Sequence, residues 1–245
     1  MNVQLVAKTT GVGKYEELNS EEIVSAIARH GIIKEDNGKL IKYLMDNKHV
    51  SPLDMINFVF EIETSLSIGR QLLRHASIKP QEHSLRYSKS IGLEPIEFRL
   101  EHSKNRQSSA EIIGSVIQHS KISSNAFETI VVDEFIENKG IKVAEKYNEY
   151  LGKVAKLLND ILEIYQEGLD LGIAKECARF ILPNCTTTIM SFNGTLRSWL
   201  TLLNVRCDDH AQKECRIIAN LIGEELEKEM PNIFSTINWR TGMFM

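Results

Sequence analysis

Arg70-Gln71-Leu72-Leu73-Arg74-His75-Ala76-Ser77-Ile78-Lys79-Pro80-Gln81-Glu82-His83-Ser84-Leu85-Arg86-Tyr87-Ser88 brings three guanidiniums, two imidazoles, one carboxylate and two amides into one segment. A helix is predicted to start at Ser65 or Ser67, to carry Gln71, Arg74 and His75, and to stop at Pro80. Gln71 and Arg74, spaced i and i+3, would then share a face. The segment ends as loop. Arginine presents a planar fork of donors that matches a phosphate. Glu82 repels phosphate but accepts from a sugar O–H or a ring N–H, so the composition suits a nucleotide.

Outward from this segment, apolar and polar residues alternate over 2–8, which predicts a strand. Gly11-Val12-Gly13 reads as a turn that breaks it. Ser20-Glu21-Glu22 predicts a helix cap, with helix to about residue 29 and a second over about 37–47. Pro52 begins a short helical turn, and Ile56 to Glu63 reads as a strand. Short strands are expected over Arg86 to Ser90 and around Ile96-Glu97-Phe98-Arg99. From about 107 to 171 the expectation is mostly helix. There Tyr147, Leu151, Val154, Leu158, Ile161 and Tyr165 recur at spacings of three and four, so that helix buries one face and serves as scaffold or subunit interface. Further helices are expected over Lys175 to Leu182, Thr195 to Val205 and Asp209 to Glu229. The expected fold is α+β: one domain over residues 1–245, with a small central, mostly antiparallel sheet embedded in several long helices.

Bulk properties narrow the function. Hydrophobic residues make up 42% and charged residues 25% of the 245, ordinary for a globular protein. A net charge of −4 argues against a general nucleic-acid binder. No apolar run reaches the roughly 18 residues of a membrane span, and no leader pattern opens the chain, so a cytoplasmic protein without membrane partners is expected. Cys177, Cys185, Cys207 and Cys215 lack the spacing of a metal site and are expected to pack as small apolar side chains. No metal is expected.

The pattern Arg74-His75-Ala76, then Ser84-Leu85-Arg86 seven residues later, resembles the signature of the flavin-dependent thymidylate synthases. In that family the third residue is usually Arg. His49-Val50-Ser51-Pro52-Leu53-Asp54 resembles the family's His-x-Ser/Thr-Pro-x-Glu turn, and Ala178-Arg179-Phe180-Ile181-Leu182-Pro183 its Ala-Arg-x-x-Leu-Pro. Val205-Arg206 followed by Ala211-Gln212-Lys213-Glu214 is similar to its Leu-Arg-x-x-x-x-Ala-Gln-x-Glu, with Val for Leu. The likeness covers roughly residues 40–90 and 174–220.

The resemblance implies FAD-dependent methylation of dUMP at pyrimidine carbon 5, with methylenetetrahydrofolate and NADPH as co-substrates. It implies a homotetramer with active sites at subunit interfaces. Gln71, Arg74, Glu82, Ser84, Leu85, Arg86, Arg179 and Arg206 correspond to nucleotide-binding positions. Arg206 and Ser84 are the expected catalytic residues: Arg206 as a cation at a pyrimidine carbonyl, stabilising enolate charge, and Ser84 as a phosphate ligand. Ser84 is not a nucleophile, because no base accompanies it. His49, Ser51 and Asp54 match the adenosine side of the flavin site; Arg74, His75, Ala76, Lys79, Gln81 and Glu82 border its ring side, and Thr195, Arg197 and Thr201 also belong to it. Arg197 and Arg206, nine positions apart, would point to opposite sides of one helix and so to different ligands.

Departures from the family pattern all fall on the flavin side. Ala76 replaces Arg, Lys79 stands where Ser is common, Gln81 replaces Asn, and Thr195 and Thr201 replace Asn and Asn or His. Lys79 is expected to supply the charge lost at Ala76. Two rival readings follow: one-carbon transfer, methyl or hydroxymethyl, to another pyrimidine nucleotide, and a non-catalytic nucleotide-binding homologue.

Overall fold

The computed structural model describes residues 1–84, 92–103, 109–118, 127–242 and 244. The expected strand at 86–90 and the candidate residues Leu85 and Arg86 lie outside them. The architecture is α+β, with small antiparallel sheets among helices. The described strands form two sheets: four strands in the order β1 (Asn2–Lys8), β2 (Asn57–Ser65), β7 (Thr187–Thr195) and β3 (Lys79–Glu82), and three in the order β4 (Ile96–Glu101), β5 (Ser109–Gln118) and β6 (Phe127–Val131). The chain groups into two compact units, one of Met1–Glu63, Ile68–Glu82 and Ile189–Met245, the other of Thr64–Ser67 and His83–Thr188.

In the first unit, β1 (Asn2–Lys8) pairs antiparallel with β2 (Asn57–Ser65). Alternation buries Phe58, Phe60 and Ile62 on one face of β2. β3 (Lys79–Glu82) pairs antiparallel with β7 (Thr187–Thr195), and Pro80 is tolerated because β3 is an edge strand that needs fewer N–H donors. Helix α1 (Ser20–Ala28) is capped by Asn19, not Ser20: the Asn19 side-chain Oδ1 accepts from Glu22 N and the Glu22 carboxylate from Asn19 N, both at 2.9 Å. The Ser20 hydroxyl donates instead to Thr9 O. Helices α2 (Gly38–Asp46) and α3 (Leu66–Leu72) flank the turn of Ser51–Met55 and strand β2. Trp199 locks the core. Its indole N–H is shared between the carbonyls of Phe58 and Gly194, and its ring meets Phe60 edge-on at 4.9 Å.

In the second unit, β4 (Ile96–Glu101), β5 (Ser109–Gln118) and β6 (Phe127–Val131) form the three-stranded sheet. Helix α4 (Asp133–Lys139) ends at Gly140, whose φ of +83° suits glycine and turns the chain into α5 (Ile141–Asp170). Ala144, Leu151, Leu158 and Tyr165 are buried on α5, with Tyr147, Val154 and Leu162 packed beside them. The one-faced helix expected here is present.

Three expected element bounds need correction. Among the described residues, 109–118 and 127–131 are strand and helix begins only at Asp133, because Ile112 pairs with β4 and Val116 and Ile117 with β6. The helix expected to reach Pro80 ends at Leu72, since Lys79–Glu82 finds its hydrogen bonds on β7. Lys175 to Leu182 is a short α6 (Lys175–Ala178) followed by a tighter turn, Arg179–Ile181. The strand β7 was unforeseen, although Thr188, Met190 and Phe192 alternate inward. Helix α7 spans Leu196–Arg206, close to expectation, whereas α8 (Lys213–Glu229) starts four residues later than the expected Asp209 and is followed by the single-turn α9 (Pro231–Phe234). Cys207 and Cys215 are buried as expected, but Cys177 is exposed.

Candidate functional site

Arg206 is the last residue of α7, and it reaches the C-terminal end of α3. Its Nε donates to His75 Nε2 at 3.0 Å and its Nη2 to the Gln71 carbonyl at 3.0 Å. The second contact satisfies a carbonyl at a helix end, where the dipole also favours a cation. Two of the three guanidinium nitrogens are thus engaged, and Nη1 has no acceptor among the described residues. Because His75 Nε2 accepts, the assigned tautomer carries its proton on Nδ1. Burial first, and the adjacent Arg206 charge second, push the His75 pKa from 6.5 down to about 4, so the ring is neutral at pH 7.

This cluster extends through amides. Gln71 Nε2 donates to Gln212 Oε1 at 2.6 Å, and Gln212 Nε2 to Glu214 Oε2 at 2.8 Å. Gln212 and Glu214 were not among the candidate residues, although the Ala211-Gln212-Lys213-Glu214 block was the signal that pointed to them. Gln71 remains on α3, whereas Arg74 and His75 follow its end, so the shared helix face expected for Gln71 and Arg74 is not formed.

A second cluster gathers three flavin-side candidates. Thr195 caps α7, its hydroxyl accepting from Ser198 N at 3.2 Å, and also lies 3.2 Å from Asp54 Oδ1. Arg197 pairs with Asp54 Oδ2 at 3.0 Å; the two side chains are 49% and 34% exposed. An ion pair this wet stabilises little, roughly 0–1 kcal/mol, and chiefly fixes the position of Arg197. Thr201, one turn on, donates its hydroxyl to the Arg197 carbonyl, in keeping with their expected common face. Arg197 and Arg206 are nine positions apart on α7, about 13 Å along the axis. His49 is exposed and meets the Tyr43 ring edge-on, and Ser51 is exposed in the adjoining turn.

Lys79, Gln81 and Glu82 are exposed on edge strand β3, and Arg74 and Ala76 are exposed before it. The Lys79 ammonium lies 3.3 Å from the Ala76 carbonyl. The cation therefore stands at the residue where the family motif has Arg. In the second unit, Ser84 and Arg179 are each half-buried.

The family model described as thymidylate synthase complementing protein matches residues 5–232. This chain belongs to the flavin-dependent thymidylate synthase family. Among its relatives, the flavin-dependent thymidylate synthase of Synechocystis sp. is 32% identical over 227 residues, 91% of this chain and 92% of that one. The probable flavin-dependent thymidylate synthase of Paramecium bursaria Chlorella virus 1 is 30% identical over 246 residues, 98% of this chain and all of the viral one. The flavin-dependent thymidylate synthase of Thermosipho melanesiensis is 28% identical over 204 residues, 82% and 76% of the two chains. As in the sequence reading, family membership implies an enzyme that handles a flavin and a pyrimidine nucleotide. No helix among the described residues is long and apolar enough to cross a membrane.

Proposed function

We propose that this protein converts dUMP to dTMP by FAD-dependent reductive methylation at carbon 5, using methylenetetrahydrofolate as one-carbon donor and NADPH as reductant. The observation that carries the reading is the held guanidinium of Arg206. His75 Nε2 and the Gln71 carbonyl fix two of its nitrogens and leave Nη1 for a ligand. A cation aimed in advance at a pyrimidine carbonyl stabilises enolate charge as it develops at the ring, without reorganising during the reaction.

The residues of the first unit fit a flavin dinucleotide. Arg197 and Lys79 are exposed cations suited to a pyrophosphate or an anionic ring, and Gln81 and Thr201 supply neutral polar groups beside them. When bound, the flavin supplies the hydride that completes the methyl group. His49, Ser51, Asp54, Thr195, Arg197 and Thr201 serve its adenosine and phosphate side; Arg74, His75, Ala76, Lys79, Gln81 and Glu82 border the ring. Lys79 provides the charge that Ala76 lacks. Gln71, Arg74, Glu82, Ser84, Leu85, Arg86 and Arg179 join Arg206 in holding the nucleotide, with Ser84 a phosphate ligand. The family model spans both compact units, which supports reading residues 1–245 as one functional domain. Assembly as a cytoplasmic homotetramer belongs to the same reading.

The test is tritium release from 5-tritiated dUMP with FAD, NADPH and methylenetetrahydrofolate, each omitted in turn. Release that needs all of them, with dTMP as product, is expected. Hydroxymethyl product, or no release with flavin bound, overturns the reading in favour of a different product or pyrimidine. A colourless protein that binds dUMP even after added FAD, without release, is a non-catalytic binder.

A further inference from the structure

Two apolar stripes run along α5, each repeating every seven residues. Ala144, Leu151, Leu158 and Tyr165 form the buried one. Val143, Tyr150, Leu157, Ile164 and Leu171, one position earlier in each heptad, are 38, 53, 58, 57 and 74% exposed. A seven-residue period drifts only about 20° per heptad on a straight helix, so these five keep to one face for ~42 Å. Single exposed apolar residues are ordinary, but a continuous stripe marks a contact surface.

The charges beside the stripe identify what covers it. Lys146, Lys153, Asp160 and Glu167 fill the gaps between successive stripe residues along one edge, lysines in the N-terminal half and acids in the C-terminal half. We propose that this face docks against a second copy of the chain, with the two α5 helices antiparallel and Leu157 of each copy on the two-fold axis. Tyr150 and Ile164 lie seven positions either side of Leu157, and Val143 and Leu171 fourteen, so each stripe residue meets an apolar partner. Lys153 is four positions before Leu157 and Asp160 three after; Lys146 is eleven before and Glu167 ten after. At a rise of ~1.5 Å per residue each lysine falls within about 2 Å, along the axis, of an acid on the other copy. In antiparallel helices matching edges face each other, so both pairs form twice; in a parallel pair the charged edge would face the opposite edge, that of Tyr147, Val154 and Ile161, and neither pair would form. Lys153 now reaches Glu149 at 2.6 Å, with both side chains about 70% exposed, and a pair that wet exchanges partners at little cost.

The inference deepens the assembly part of the proposed function, but it is read from mass and cross-linking, which turnover does not affect. Sedimentation equilibrium of the full chain is expected to show an oligomer. Leu157→Glu should weaken this association about 100-fold, by burying a charge at the axis. The double change Lys146→Glu and Lys153→Glu should weaken it about tenfold, and adding Asp160→Lys and Glu167→Lys should restore it. Circular dichroism confirms that each variant keeps its helix. In a Cys177→Ser background, Leu157→Cys should cross-link to itself on oxidation. A mixture of Tyr150→Cys and Ile164→Cys chains should also cross-link, and Tyr150→Cys alone should not. A monomeric wild-type chain, unchanged association of Leu157→Glu, failure of the fourfold swap to rescue, or self-cross-linking of Tyr150→Cys overturns the proposal.

Discussion

His75→Gln is predicted to flatten the acid dependence of stability below neutrality. An unfolded histidine titrates near pH 6.5, whereas His75 in the folded chain titrates at about 4, because it is buried and Arg206 adjoins it. Between those values the unfolded chain binds a proton that the folded chain refuses. The stability due to this group is therefore complete above pH 6.5 and is lost as pH falls towards 4. At ~1.4 kcal/mol per pH unit the full difference is worth about 3 kcal/mol. The ring is half-buried, and solvent screening reduces this to about 1–2 kcal/mol. Glutamine does not titrate, and its Oε1 still accepts from Arg206 Nε, so the contact is kept while the proton linkage is removed. Urea unfolding followed by circular dichroism, at fixed protein concentration from pH 7.5 to 4.5, measures the difference. Wild type should lose about 1–2 kcal/mol more than the variant over that range. Parallel pH profiles for the two proteins would refute the lowered titration of His75 in the folded chain.

Gly223→Ala should destabilise by about 1–3 kcal/mol, read from the urea midpoint, because a Cβ there would stand 2.1 Å from the Trp239 ring and no rotation of a buried indole relieves that. Thr195→Val should cost about 1 kcal/mol by removing the hydroxyl that caps α7 at Ser198 N, while Thr195→Ser should cost little. Lys79→Ala should weaken FAD binding, titrated by the flavin absorbance change, without altering thermal stability, since the side chain is exposed and its ammonium meets the Ala76 carbonyl; unchanged flavin affinity would remove Lys79 from the site. Arg206→Lys keeps the charge but loses the fork that spans His75 and Gln71, so turnover should fall by about 100-fold with the melting temperature little changed.

The sequence by itself determined the elements whose signal is local. Alternation marked β1 and β2, and spacings of three and four marked α5. Family motifs marked Gln71, His75 and Arg206 before their positions in space were known. Each of these follows from a neighbour within a turn or a strand, which a short window contains. Strands β3 and β7 show where that ends. Lys79-Pro80-Gln81-Glu82 has no strand periodicity and a proline, and it is extended only because Met190 to Asn193 pairs with it, more than a hundred residues later. Strand β5 likewise depends on β4 and β6 on its two sides. At the site, motif positions named the residues, but only the tertiary structure buried His75 and set Arg206, 131 residues away, on it, and so left that imidazole neutral and the guanidinium fixed. Period and propensity act within a few residues, whereas backbone pairing, desolvation and the orientation of a charge belong to groups that meet only when the chain has folded.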